Sequence, residues 1–213
     1  MLQSLKHIKR SNLAFIVLMG FLGGCVAAEV LPFQAKPVET TIVNVNGARI
    51  TIGGPPGFCI NNRQSHTSAA GAFVVLGPCN PGQADSSEVR GLLVANVSPD
   101  TAFGKAMNPT TLKAFFKSAA GRKSLSNSAN AETIDILDTV SSGSVFFVHS
   151  RDSSDPLIPD TTSESWRGFF PISGRMVSVS MINFIENPIS GSIVFNQLKS
   201  FSTRIIQLNS DDS

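Results

Sequence analysis

The first 25 residues constrain everything that follows them. Lys6, His7, Lys9 and Arg10 form a basic stretch, residues 13–22 form an apolar run of ten, and the small residues Gly23-Gly24-Cys25 come next. A basic segment, a short apolar core and small residues, in that order, are the layout of a secretory leader. A bilayer span needs ~20 apolar residues, twice what this core supplies. The layout therefore predicts a signal peptide over residues 1–24, with the remainder folding outside the cytoplasm.

Two cleavage sites compete behind that leader. The run Leu22-Gly23-Gly24-Cys25 resembles the lipobox of bacterial lipoproteins, with Leu three residues ahead of a Cys and small residues between. That resemblance implies diacylglycerol on the Cys25 sulfur, a membrane partner reached through the lipid, and residues 25–40 as lipidated N-terminus and tether. Val26 stands where Asp would imply inner-membrane retention, so the resemblance points to the periplasmic face of the outer membrane. Cleavage after Val26-Ala27-Ala28, an ordinary small-x-small site, would instead discard Cys25 and leave a soluble periplasmic or secreted protein. An uncleaved apolar anchor is the third arrangement.

Charge follows the leader. Removal of residues 1–24 takes three of the 17 Lys and Arg residues and none of the 15 acidic ones, which leaves 14 against 15. The basic balance of the whole chain thus belongs to its leader. A near-neutral remainder with scattered charges has no electrostatic footprint for nucleic acid.

With Cys25 assigned to lipid, Cys59 and Cys79 remain, an even pair in a compartment where disulfides persist. Each stands beside turn residues, Pro55-Pro56-Gly57 before Cys59 and Gly77-Pro78 before Cys79. A Cys59–Cys79 disulfide is the expectation. Its rival is a thiolate nucleophile at Cys59 with His66 as base, which has the residue types of a thiol enzyme but no local signature.

The 42% hydrophobic content is enough for one substantial core, so residues 41–213 are expected to form a single domain. Residues 41–52 alternate through Ile42, Val43, Val45, Ile50 and Ile52, with Asn46-Gly47 as a hairpin turn. Residues 72–76 and 92–97 are short apolar runs that suit buried strands. Asn108-Pro109 opens a helix as N-cap and first residue, with Leu112, Phe115, Phe116 and Ala119 on one face and Gly121 as its stop, a helix over about 109–120. Residues 133–140 and 145–149 flank a predicted four-residue loop at 141–144, and residues 166–172 and 175–184 flank the two-residue turn Ser173-Gly174. Val194, Leu198, Phe201, Ile205 and Leu208 then recur at spacings of four and three, the stripe of a closing helix over about 190–208, with Asn209 at its end. Residues 124–130 and 150–165 read as surface loops. Strands, a helix, more strands and a last helix predict an α+β domain, a largely antiparallel sheet packed by two main helices.

The runs Gly54-Pro55-Pro56-Gly57-Phe58-Cys59, residues 71–79, Trp166-Arg167 and residues 174–179 resemble a group of uncharacterised exported proteins of alphaproteobacteria, a likeness that implies no activity. The order of elements resembles the PsbP-like fold, whose members are mostly accessory or assembly factors without catalytic machinery.

Motifs for chemistry are largely missing: there is no Gly-x-Ser-x-Gly elbow, His-Glu-x-x-His, phosphate loop or Cys-x-x-Cys, and nothing implies a cofactor. His66 reads as a solvated loop residue. His149 lies beside Ser150, Arg151, Asp152 and Asp155, the residue types of a hydrolytic triad in sequence neighbours. Asp152, Asp155 and Asp160 offer oxygen ligands for Ca²⁺ at a spacing that matches no EF-hand. Trp166 is expected in the core beside Phe169 or Phe170. The reading that accounts for the leader and the missing motifs together is a non-catalytic envelope lipoprotein that binds an envelope protein or a small ligand. The alternative is a periplasmic hydrolase near His149 or a thiol enzyme near Cys59.

Overall fold

Alternation of apolar and polar residues with period two, broken by tight turns, gives this chain its sheet. A computed structural model describes residues 39–80, 90–99 and 108–210, so the leader, Cys25 and the tether up to residue 38 lie outside the described residues. In chain order the strands β1 (Thr40–Val45), β2 (Ala48–Gly53), β3 (Phe58–Ile60), β4 (His66–Ser68), β5 (Gly71–Pro78) and β6 (Leu92–Val97) precede helices α1 (Pro109–Lys117) and α2 (Ala119–Leu125). Strands β7 (Ile134–Ser142), β8 (Val145–Asp152), β9 (Glu164–Ile172) and β10 (Arg175–Ile182) follow, and α3 (Gly191–Leu208) closes the domain. The fold is α+β, as expected.

Eight strands form one antiparallel sheet in the order β3-β5-β6-β10-β9-β8-β7, with β4 also pairing with β5, while β1 and β2 form a separate hairpin. Two meanders thus meet where β6 pairs with β10. The turns Asn46-Gly47 (φ 47° and 81°) and Ser173-Gly174 (φ 47° and 71°) carry positive φ at both central residues, the geometry whose twist matches two-residue hairpins. The expected four-residue loop at 141–144 is in fact two residues. Ser142 pairs with Val145, so Ser141 and Ser142 extend β7, and Gly143 (φ 58°) supplies the reversal with Ser144.

One face of the sheet presents Val74, Leu76, Ala95, Val177, Val179, Phe170 and Phe147 to a core closed by α3 and the β1–β2 hairpin. From α3 come Val194, Leu198, Phe201 and Ile205, so four of the five stripe residues are buried as the spacing requires. Asn209, just past the helix, is buried and works as a clamp: its Nδ2 donates to Thr51 O (2.8 Å) and Ile205 O (2.7 Å), and its Oδ1 accepts from Thr51 N (2.8 Å). Arg175 does similar service at the other end of the hairpin, donating to the carbonyls of Asn46 and Pro99.

The opposite face is covered over β7, β8 and β9 by α1 and α2, where Leu112, Phe116 and Leu125 meet Ile134, Phe146 and Val148. The helix expected over 109–120 is two helices. Asn108 caps the first as foreseen, accepting from Thr111 N at 2.8 Å. Ser118 then takes an extended backbone, ends α1 and caps α2, its Oγ donating to Phe115 O and accepting from Gly121 N. Gly121 is no stop signal. It is buried inside α2, where a Cβ would come within 2.6 Å of Phe116 Cα and closer still to the Phe115 carbonyl, so hydrogen is the only side chain that lets the two helices cross so tightly.

Candidate functional site

Cys59 and Cys79 form the expected disulfide, with 4.8 Å between their Cα atoms. Cys59 opposes Gly77 in the β3–β5 pairing, two residues before Cys79, so the bridge fastens the edge strand to its neighbour. The Cys59 sulfur is therefore in covalent use, and the His66 ring stacks on Phe73 at 5.3 Å between centroids rather than serving a thiolate. His66 was expected in a loop; it is exposed, but pairing with Phe73 places it in β4.

The neighbours of His149 in sequence are not its neighbours in space, because successive residues of β8 point to opposite faces. His149 and Arg151 lie on the face of α3, while Ser150 and Asp152 lie on the other, with Phe146 and Val148. The His149 ring stacks on Trp166 (4.6 Å, 5° between planes), and its Nε2 is 3.5 Å from Glu164 Oε2. Glu164 also accepts from Arg151, and that hydrogen bond holds its carboxyl below the usual carboxylate range. No described residue gives His149 a hydroxyl or thiol partner, so the triad of sequence neighbours is not assembled. Trp166 is buried as expected, in the core cluster that also holds Phe170; its ring meets His149 and Phe195, while Phe169 faces α1.

Asp152 has a different role from the one its neighbours suggest. Its Oδ2 accepts from Asn127 N (2.7 Å), and its Oδ1 accepts from Ser154 N (3.0 Å) and Ser154 Oγ (2.8 Å). Among the described residues, no three His, Cys, Asp or Glu side chains come together as metal ligands, so Asp152, Asp155 and Asp160 make no Ca²⁺ site there. Burial pushes the Asp152 pKa up, but these donors outweigh it and hold the pKa below that of a free aspartate. A carboxyl with a lowered folded pKa contributes stability that is full above its unfolded pKa of ~4 and fades as pH falls through the folded value. An Asp152→Asn variant should therefore be less stable than the parent in urea at neutral pH, with the gap narrowing below about pH 4. A gap independent of pH would contradict this.

Those donors tie the turn after α2 and the start of the 153–163 loop to the end of β8, and together they rim a cleft of about 210 Å³. Its floor is the sheet. Ser150 and Ser165 oppose each other across β8 and β9, and Arg167 and Ser180 oppose each other across β9 and β10, all four on one face. Leu157 and Ile158, from the loop, are exposed at the mouth. No hydrogen bond or ion pair engages the side chains of Ser150, Ser165, Arg167 or Ser180 among the described residues. Burial lowers the Arg167 pKa and the Asp152 charge partly opposes that, yet an arginine remains cationic. The arrangement sets unengaged hydroxyls around the Arg167 charge, with the carboxylates of Asp152 and Glu164, already engaged by their own donors, also at the lining. One signal for it stood in the sequence: a lone Arg between Trp166 and Phe169, within the aromatic stretch of β9.

No family model, curated protein or solved structure matches this chain.

Proposed function

We propose that the chain is an exported envelope lipoprotein, a disulfide-stapled α+β domain held at the periplasmic face of a membrane by lipid on Cys25, which acts by binding rather than by catalysis. The Cys59–Cys79 bridge carries the reading, because such bonds persist in oxidising compartments and are rare in the cytosol. It supports what the basic, apolar and small segments of residues 1–25 imply. The cleft above Arg167 supports the binding part, since its donors await a partner. Val26 after Cys25 favours the outer membrane.

The hydrolase reading draws on the His149–Glu164 contact, an imidazole beside a carboxylate. No described hydroxyl or thiol is hydrogen-bonded to that imidazole, whose ring stacks on Trp166 and whose Nε2 meets the carboxylate. The thiol-enzyme reading would require Cys59 to be free.

Intact-mass measurement on protein recovered from cell membranes tests the proposal. The expected species begins at Cys25, carries diacylglycerol, and shifts on a gel when reduced. A chain beginning at Glu29 in the soluble fraction would refute the tether, and a reduced Cys59 in freshly isolated protein would refute export as the origin of the bridge.

A further inference from the structure

We infer that the cleft between β8, β9, β10 and the 153–163 loop binds a small organic monocarboxylate, its carboxylate received by Arg167 with Ser150, Ser165 and Ser180, and its short apolar body lying along Leu157 and Ile158. The inference rests on the reading of the protein as a binding module, and it does not depend on the lipid anchor.

The unpaired donors are the first ground. Ser150 is only 3% exposed, and its hydroxyl, which lines the cleft, has no hydrogen-bond partner among the described residues. Arg167 sits beside it on the sheet, half-buried, with no carboxylate within ion-pair distance among the described residues. Donors that line a cleft without a protein partner are left to water, which a ligand offering matching acceptors can replace. Cross-strand neighbours lie about 5 Å apart at Cβ, so the Ser150–Ser165 pair and the Arg167–Ser180 pair converge on one small area. A carboxylate has two oxygens and several lone pairs to satisfy that set, and a guanidinium fork matches it in two parallel hydrogen bonds.

Charge selects the kind of anion. Asp152 lies on the same face and near enough to act on Arg167, yet its own oxygens are engaged by Asn127 and Ser154. It leaves the Arg167 donors available while adding a negative potential to the site. A second charge on the ligand would meet that potential, so a monoanion is favoured over a phosphate dianion.

Size and polarity select the rest. At about 210 Å³ the cleft is below the ~300–1,000 Å³ of typical drug-sized sites, room for a compact ligand only. Leu157 is 77% exposed and Ile158 42%, and both line the cleft from the 153–163 loop, so its rim carries exposed apolar surface. A short aliphatic tail would cover them and displace water from both.

The test uses sodium hexanoate titrated into ¹⁵N-labelled protein recovered from cells in non-ionic detergent, followed by amide shifts, with inorganic phosphate and hexylammonium chloride as comparators. Saturable shifts confined to residues 150–167 and 180–182 are expected with hexanoate, weaker ones with phosphate and none with hexylammonium. Arg167→Met should weaken hexanoate binding about tenfold or more, as expected for loss of a charge-assisted hydrogen bond. Ser150→Ala should weaken it several-fold, and it stands in should Arg167→Met fail to fold. The inference is overturned if hexanoate gives no saturable shifts at these residues, if phosphate or hexylammonium binds as tightly, or if the foldable variants bind hexanoate as the parent does. Loss of the anchor alone would leave hexanoate binding intact, and an acylated protein indifferent to hexanoate would refute the ligand without touching the anchor.

Discussion

Phe201→Ala should lower the free energy of unfolding by about 4 kcal/mol, as truncation of a fully buried aromatic side chain leaves a cavity in a close-packed core. Phe201 has no solvent exposure and sits on the apolar stripe of α3 between Leu198 and Ile205, each fully buried as well. The surrounding cluster includes the sheet residues Val177 and Val179 and the hairpin residues Ile50 and Ile52. Three structural elements would have to move together to fill the hole, so collapse should be incomplete. Urea unfolding at neutral pH measures the loss. Ile193, on the same helix but 47% exposed, is the control, and Ile193→Ala should change stability by less than about 1 kcal/mol. Equal effects at the two positions would mean that this face of α3 is not the one that closes the core.

Gly121→Ala should cost about 3 kcal/mol, as forced overpacking against backbone does. Ordinary helix propensity predicts the reverse, a gain of ~1 kcal/mol for replacing an interior glycine by alanine. The added methyl would meet the backbone of Phe115 and Phe116, not a side-chain tip that can swing aside. Relief would require α1 and α2 to separate, and with them the packing of Leu112, Phe116 and Leu125 on β7 and β8. Gly191 is the matching control, since nothing lies within 4 Å of its added Cβ. Denaturant melts of both variants read the contrast directly: Gly191→Ala should be neutral or slightly stabilising. A stabilised Gly121→Ala would show that the helix crossing is looser than described.

These two cases mark what was legible in the sequence and what was not. Asn46-Gly47 and Ser173-Gly174 could be read as turns because the requirement for positive φ is satisfied within two residues. The α3 stripe was legible because a period of 3.6 repeats over five positions. The α+β class followed from the order of such elements. Gly121 was misread because a glycine that ends a helix and one that lets another backbone approach look alike until the second backbone is in place. Ser118 was passed over for a related reason, as its capping role depends on where the next helix turns. The short strands β3 and β4 exist only by pairing with β5, and three-residue segments carry no period of their own. In the candidate site, the disulfide was legible from compartment and parity. The cleft was not: Ser150, Ser165, Arg167 and Ser180 come from three strands, and only the register of β8, β9 and β10 brings them together. The same alternation that assembled them separated His149 from Ser150 and Asp152.

The Asn209 clamp on Thr51 joins residues 158 positions apart, near opposite ends of the described domain. During synthesis the β1–β2 hairpin leaves the ribosome well before the helix that covers it. A partly made chain consequently has nothing to bury Ile50 and Ile52 against on that side, and contacts so distant along the chain form slowly. That side of the hairpin thus stays open until α3 has been made, so the last strand-to-helix connection sets when the core can lock.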